Sequence, residues 1–191
     1  FPIDTNKSIN KSLTQKFVQV GLDDDVYNWF VNCTDVSGNT GTSDIFRVTV
    51  DKIDPTVVLN SPKNNAWDTD GIIQITYTPS DVNLDTCKLY ANFSGVWKLN
   101  QTDSTPISGI ENNFNSTIVK DGHFIWNVFC NDSVGRADWG GSSTSVDENF
   151  TINIDTAVPK INFIAPTPEN NTNQTSTTLI INVSHIENNS N

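Results

Sequence analysis

One nine-residue segment occurs twice in this chain, first as Tyr27-Asn28-Trp29-Phe30-Val31-Asn32-Cys33-Thr34-Asp35 and again as Phe124-Ile125-Trp126-Asn127-Val128-Phe129-Cys130-Asn131-Asp132. In both copies, residues that suit a protein core alternate with other residues. A period of two predicts a β-strand with one buried face. The predicted inward positions are Tyr27, Trp29, Val31, Cys33, Phe124, Trp126, Val128 and Cys130. Asn32 and Asn131 fall on the opposite, solvent-facing side.

Other blocks recur in the same order around this segment. Residues 46–51 (FRVTVD) recur as residues 150–155 (FTINID), and a proline follows four residues after each, at Pro55 and Pro159. The pattern Ile73-x-Ile75-x-Tyr77 matches Leu179-x-Ile181-x-Val183. Cys33 lies 97 residues before Cys130, and Pro55 lies 104 residues before Pro159. The repeat is therefore about a hundred residues long, which is the usual size of a β-sandwich domain.

Composition narrows the class of protein. Of 191 residues, 36% are hydrophobic, and 22 acidic residues against 11 basic ones give a net charge of −11. Such a surface repels phosphate backbones and anionic lipid, so we expect no nucleic-acid partner and no membrane contact within this segment. No stretch has a sustained 3.6-residue period, and turn residues recur at short intervals, which predicts an all-β protein.

The order of these motifs resembles the tandem immunoglobulin-like β-sandwich repeats of archaeal and bacterial cell-surface glycoproteins. The matching residues are Cys87-Lys88-Leu89-Tyr90, the segment from Trp126 to Asp132, Gly135, and Ile154-Asp155 followed by Pro159. The resemblance implies tandem immunoglobulin-like domains and an extracellular, cell-surface location. Two departures are notable: Cys87 falls on the third strand instead of the second, and Arg136 stands where the first copy has Asn39.

The repeat phase divides the chain into three parts. Residues 1–53 are predicted to form the C-terminal half of one immunoglobulin-like domain, residues 54–155 a complete domain, and residues 156–191 the N-terminal half of a further domain. Residues 51–55 and 155–159 are predicted to be short linkers stiffened by proline. Half sandwiches expose apolar faces and strand edges. We therefore expect either that the chain continues at both ends or that another subunit completes the halves.

The sequence has three cysteines, an odd number, so at least one of them cannot form a disulfide within this segment. In an immunoglobulin-like sandwich the third and sixth strands are antiparallel neighbours, which implies a disulfide between Cys87 and Cys130. The same spacing would place a partner of Cys33 roughly ten residues before Phe1. The alternative is that all three cysteines are reduced core thiols.

Asparagine is unusually frequent, with 26 residues, and Ser and Thr together number 39. Random placement gives about 5 Asn-x-Ser/Thr sequons, whereas the chain has 12. This excess predicts N-glycosylation, and therefore an exposed extracellular surface. The predicted acceptors are Asn6, Asn10, Asn32, Asn92, Asn100, Asn115, Asn131, Asn149, Asn170, Asn173, Asn182 and Asn188.

No catalytic or zinc-binding pattern is apparent in the sequence. The two histidines, His123 and His185, do not neighbour a cysteine pair, and His123 is predicted to be a surface residue in a turn. Paired carboxylates of the glycosidase type lack a cleft motif around them. We predict that the chain is not an enzyme and has no cofactor.

The alternative hypothesis is that the protein binds calcium. Carboxylates at domain junctions could bind Ca²⁺ and stiffen a rod, although no stretch matches an EF-hand loop. The acidic candidates are Asp23, Asp24, Asp25, Asp35, Asp51, Asp54 and Asp132.

These features favour a structural extracellular glycoprotein, a repeat segment of a surface layer, stalk or filament. Its expected partners are neighbouring repeats or copies of itself, including docking by strand complementation. The alternative is an adhesin that binds glycans, with Trp67, Trp97 and Trp139 as candidate stacking platforms. The competing explanation for these tryptophans is that they pack against the rim of the sandwich. A third hypothesis for the function is an accessory domain of an enzyme.

Overall fold

The computed structural model describes residues 4–7, 9, 13–142 and 148–186. Fifteen β-strands occur there, and none of these residues is helical. No helix long and apolar enough to cross a membrane is found in this part of the chain. The protein is all-β, as the sequence predicts.

Nine strands build a two-sheet sandwich in the middle of the chain. They are β5 (Thr56–Ser61), β6 (Ala66–Asp68), β7 (Ile72–Ser80), β8 (Leu84–Ala91), β9 (Lys98–Asp103), β10 (Asn112–Thr117), β11 (Gly122–Asp132), β12 (Ala137–Trp139) and β13 (Phe150–Ile154). One sheet has the order β10-β7-β5 and the other β6-β13-β11-β8-β9, with β12 also on β11. Neighbouring strands are antiparallel except β6 and β13. This order, with the third and sixth strands adjacent, is that of an immunoglobulin-like sandwich when β5 and β6 count as one interrupted strand.

The core lies between the two sheets, where alternating side chains of facing strands meet. On β11, Trp126, Val128 and Cys130 are fully buried, and Phe124 is nearly so. The matching face of β7 buries Ile73, Ile75 and Tyr77. Full burial of each such side chain stabilises the fold by about 1.5–3 kcal/mol.

The disulfide between Cys87 and Cys130 is present. The two residues are direct partners in the antiparallel pairing of β8 with β11, and both are fully buried. The bond therefore lies within one sheet, at the centre of the sandwich. Cys33 is an exposed cysteine without a disulfide partner in the described ranges.

The strand pairings repeat on the N-terminal side of the sandwich. The four strands there are β1 (Asp25–Trp29), β2 (Asn32–Thr34), β3 (Thr40–Thr42) and β4 (Phe46–Val50). Strand β1 pairs with β4 as the first half of β11 pairs with β13, so Trp29 faces Phe46 as Trp126 faces Phe150. Strands β2 and β3 likewise repeat the end of β11 and β12.

The C-terminal side holds β14 (Lys160–Ile164) and β15 (Asn182–Ile186), which pair antiparallel like β5 and β7. Their apolar side chains are exposed, with Phe163 at 72% and Val183 at 54% of full exposure. The predicted strand through Leu179 and Ile181 is partly wrong, because β15 begins only at Asn182. Strand β15 has β14 as its neighbour and no opposing sheet among the described residues. Asn182 and the apolar residues on either side of it are therefore all exposed.

Two further expectations need correction. The segment 27–35 is not one strand but two, β1 and β2, and Trp29 and Cys33 are exposed rather than inward. Among the described residues, no strand equivalent to β8 lies beside this segment, whereas β8 pairs with β11 from Trp126 to Asp132. His123 is exposed, as predicted, but it lies in β11 and not in a turn, and its ring hydrogen-bonds Asn153 Oδ1.

Candidate metal centre

Three aspartates from separate parts of the sequence meet at one end of the sandwich. Asp51 follows β4, Asp81 follows β7, and Asp132 is the last residue of β11. One carboxylate oxygen from each lies within 4.8 Å of those from the other two. Asp132 is fully buried, and Asp51 and Asp81 are half-buried. The fold therefore gathers three negative charges in a partly dehydrated place.

The position of Asp132 follows from the turn that it begins. Its Oδ1 accepts hydrogen bonds from the backbone N–H groups of Val134 (2.9 Å) and Arg136 (2.8 Å). Gly135 allows this tight turn because its φ is 91°, a conformation that other residues rarely adopt. Oδ2 of Asp132 is buried and has no hydrogen-bond partner among the residues that the structure describes.

Asp81 is fixed by a local turn and by a neighbouring loop. Its Oδ1 accepts the N–H of Asn83 at 2.6 Å, and its backbone N–H donates to Ser108 Oγ at 3.0 Å. Burial raises the pKa of Asp81, and the charges of Asp51 and Asp132 raise it further, against the effect of the Asn83 hydrogen bond. The contributions of Asp51 and Asp132 to this shift are repulsive, and they are smaller than that of burial.

Asp51 is held against the sandwich by Asn83. The Asn83 side-chain amide donates to Asp51 Oδ2 at 2.7 Å, and the Ile53 N–H donates to Asp51 Oδ1 at 3.0 Å. The Asn83 hydrogen bond is the main reason that the pKa of Asp51 is lowered. Because Asn83 also binds Asp81 and accepts the Ser133 N–H, this one residue joins all three contributing segments.

Two cationic side chains near the site are each paired with another aspartate. Arg136 Nε lies 2.8 Å from Asp54 Oδ1, and Lys52 Nζ lies 3.6 Å from Asp24 Oδ1. Hard cations prefer carboxylate oxygens, and two ligands on opposite sides of a Ca²⁺ ion are about 5 Å apart. The spacing of the three oxygens thus permits all of them to contact one ion of that size.

The sequence identifies two of the three residues. Asp51 and Asp132 are among its acidic candidates, whereas Asp54 pairs with Arg136 and Asp24 with Lys52. The structure does not bring Asp23, Asp25 or Asp35 into this group. Asp81 is missed by the sequence analysis. Its only signal is the Asp81-x-Asn83 turn, which directly follows a buried strand and therefore lies at an end of the sandwich.

Most predicted glycosylation sites are on the surface. Among the ten that the structure describes, the exposed ones are Asn32, Asn100, Asn115, Asn149, Asn170, Asn173 and Asn182. Asn6, Asn92 and Asn131 are half-buried, and Asn10 and Asn188 lie outside the described residues. Asn131 is less available than expected, because its Nδ2 donates to Asp85 Oδ2 and to the Asp132 carbonyl.

Aromatic side chains form a partly exposed patch on the outer face of the larger sheet. Trp139 lies 4.9 Å from Phe129, 5.1 Å from Tyr90 and 6.3 Å from Trp97, measured between ring centres. Trp97, Trp139, Asn127 and Asn149 line a small open depression there. Trp67 lies apart from this patch, against His123. The structure therefore brings two of the three predicted tryptophans together.

No protein-family model matches the chain, and no curated protein matches it. The solved structures that match include a PKD domain of an M14-like peptidase from Thermoplasmatales archaeon SCGC AB-540-F20. That match has a TM-score of 0.34 and 20% sequence identity, and it covers 53% of this chain and 93% of the other. The strand order of this chain itself identifies the immunoglobulin-like sandwich.

Proposed function

We propose that this chain is a repeat segment of an extracellular structural glycoprotein of a surface layer, stalk or filament. The observation that carries the proposal is the repetition of strand pairings along one chain. The β1–β4 pair, next to the complete sandwich, has the register of β11 with β13, and β14 pairs with β15 as β5 pairs with β7. Tandem sandwiches joined by short links form extended, load-carrying rods.

Two chemical features support an extracellular site. A disulfide in the sheet interior suits an oxidising compartment, since cytosolic thiols are kept reduced. Seven of the described sequons have an exposed asparagine. Sugars at these positions would lie along the outside of a rod and protect it.

The proposed partners are neighbouring repeats or other copies of the chain. Trp29 and Phe46 stack at 5.1 Å on β1 and β4 but remain about half exposed, whereas the equivalent Trp126 and Phe150 are buried. A β8-like strand and an opposing sheet would bury the exposed pair. We propose that a neighbouring repeat supplies them, by continuation of the chain or by strand complementation.

The direct test is intact-protein mass spectrometry on material from the native source, before and after chemical deglycosylation and reduction. The proposal predicts a mass loss equal to several glycans, and a gain of two hydrogens per sandwich on reduction. An unmodified mass would contradict the glycoprotein proposal. Sedimentation at increasing concentration then distinguishes self-docking, which grows with concentration, from covalent continuation, which does not.

The aromatic patch favours a second function, that of an adhesin that binds glycans. Tryptophan faces are stacking surfaces for sugar rings, and Trp97 is 40% exposed. A glycan array probed with the wild-type chain and with Trp97→Ala distinguishes the adhesin from the structural glycoprotein. Binding that the variant loses supports the adhesin; an array without hits opposes it.

A further inference from the structure

We propose that Asp51, Asp81 and Asp132 bind one Ca²⁺ ion, which fastens the segment after β4 to the sandwich. The site joins three turns that are distant in sequence, and one oxygen from each residue lies within 4.8 Å of the others. The binding itself does not depend on the proposed function. Its consequence, a stiffer junction between successive repeats, rests on that function.

The buried carboxylate of Asp132 is the observation that points to a ligand. Asp132 is 1% exposed, and its Oδ1 is saturated by two backbone N–H groups. Its Oδ2 has no hydrogen-bond partner within the described part of the chain. A buried ionised oxygen without a partner is strongly unfavourable. A cation held between Asp132 and the two neighbouring aspartates removes that cost.

The equivalent turn in the preceding repeat shows that the turn alone does not require an unpartnered oxygen. Asp35 begins that turn, and its Oδ1 accepts the N–H groups of Ser37 and Asn39, each at 2.9 Å. Its second oxygen accepts the Asn39 side-chain amide at 2.9 Å. Arg136 replaces Asn39 in the sandwich and turns to Asp54 instead. The second oxygen of Asp132 has no such partner in the described residues, and one carboxylate oxygen of Asp132 lies within 4.8 Å of those of Asp51 and Asp81.

The local charge supports the same conclusion. The cationic side chains beside the site are paired with aspartates outside the ligand group, Arg136 with Asp54 and Lys52 with Asp24. A divalent cation offsets most of this excess negative charge.

The ligand chemistry selects a hard cation. All three ligands are carboxylate oxygens, and none is the nitrogen or sulfur that zinc and copper favour. Ca²⁺ accepts 6–8 oxygen ligands in flexible geometry, whereas Mg²⁺ demands a near-ideal octahedron. Three ligands from three different turns suit the more flexible ion, with water completing the shell. An affinity of about 10⁻⁴–10⁻³ M is expected, as in extracellular calcium modules.

Isothermal titration of CaCl₂ into the full chain, first stripped with EDTA, tests the site. We expect one ion per chain, and a loss of affinity of at least about tenfold in Asp132→Asn, Asp81→Asn and Asp51→Asn. Asp35→Asn is the matched control, because it alters the equivalent turn outside the site, and it should bind like the wild type. Absence of binding by the wild type, equal binding of MgCl₂, or equal losses in the control would overturn the proposal.

Thermal melting of the same variants separates a metal ligand from a merely structural aspartate. Without calcium, Asp81→Asn should melt at or above the wild-type temperature, because it relieves repulsion. With 10 mM CaCl₂ (about 10–100 times the wild-type Kd) the melting temperature of the wild type should rise, and that of the variant should rise much less, because its affinity is at least about tenfold lower. A variant that melts lower by the same amount with and without calcium would contradict metal binding. This outcome is independent of the mass measurement that tests the proposed function.

Discussion

The two copies of the nine-residue segment have nearly the same sequence pattern and pairing but opposite environments. In the sandwich copy Trp126 is fully buried, whereas its counterpart Trp29 is 45% exposed. Both tryptophans contact a cross-strand phenylalanine, at 5.5 Å and 5.1 Å. The difference is the neighbour, since β8 runs beside one copy only. Local pattern sets which strands pair, and further strands decide whether a face becomes core.

The same comparison extends to the turns that follow. Asp35 and Asp132 begin equivalent turns, yet the first carboxylate is satisfied inside its own turn by Asn39 and the second is not. One substitution, Asn39 in the first repeat against Arg136 in the second, accompanies this change. In the first repeat, the turn supplies hydrogen-bond donors to both oxygens of its aspartate. In the second repeat, we propose that the aspartate binds a calcium ion instead.

The largest expected contrast is between the two tryptophans. Trp126→Ala leaves a cavity in a closed core and should reduce the free energy of unfolding by about 3–5 kcal/mol. Trp29→Ala removes a half-exposed ring and should cost about 1 kcal/mol or less. Urea unfolding followed by circular dichroism measures both. Equal losses would show that the first copy is buried in solution.

The cysteines give the next contrast. Replacing Cys87 and Cys130 together with alanine removes a cross-link that spans 43 residues, which should cost about 4 kcal/mol by the chain-entropy argument. Cys33→Ala changes an exposed thiol and should cost less than about 0.5 kcal/mol. Thermal melting under non-reducing conditions compares the two. A loss in Cys33→Ala as large as in the double variant would contradict this assignment.

Much of this contrast can be anticipated from sequence, and part of it cannot. Alternation around Trp126, together with an immunoglobulin-like order, predicts β11 and the Cys87–Cys130 bond. The same alternation wrongly predicts an inner face for Trp29 and Cys33, because burial depends on a strand that pattern alone does not supply. Asp81 is missed for a related reason: its proximity to Asp132 arises only when β7 and β11 face each other in the sandwich.

Two substitutions of Arg136 test the role of this residue in the turn. Arg136→Ala removes a positive charge and should strengthen calcium binding. Arg136→Asn removes the same charge but supplies an amide able to bind Asp132 Oδ2, as Asn39 binds Asp35. A hydrogen bond to a charged group contributes about 1.5–3 kcal/mol, so Arg136→Asn should bind calcium at least about tenfold more weakly than Arg136→Ala. Calorimetric titration gives the ratio, and equal affinities would show that the turn does not close over its carboxylate.

The smallest effect concerns Asp35. The Asn39 side-chain amide is the main reason that the pKa of Asp35 is lowered. Asn39→Ala should therefore raise the pKa of Asp35 towards its ordinary value. Since a lowered folded-state pKa stabilises above the unfolded value and is lost as the pH falls, the variant should be less sensitive to acid at this site. Titration of the Asp35 carboxyl carbon by NMR measures the shift, and an unchanged pKa would refute the assigned hydrogen bond.

The most direct test of the contrast between the two turns is a calcium titration of the isotope-labelled chain, followed by amide chemical shifts. We predict saturable shifts at the three ligand turns, near Asp51, around Asp81 and Asn83, and from Asp132 to Arg136. The turn from Asp35 to Asn39 should not respond. Comparable shifts in both turns, or none in either, would contradict the conclusion that one turn has become a calcium ligand while its counterpart remains closed.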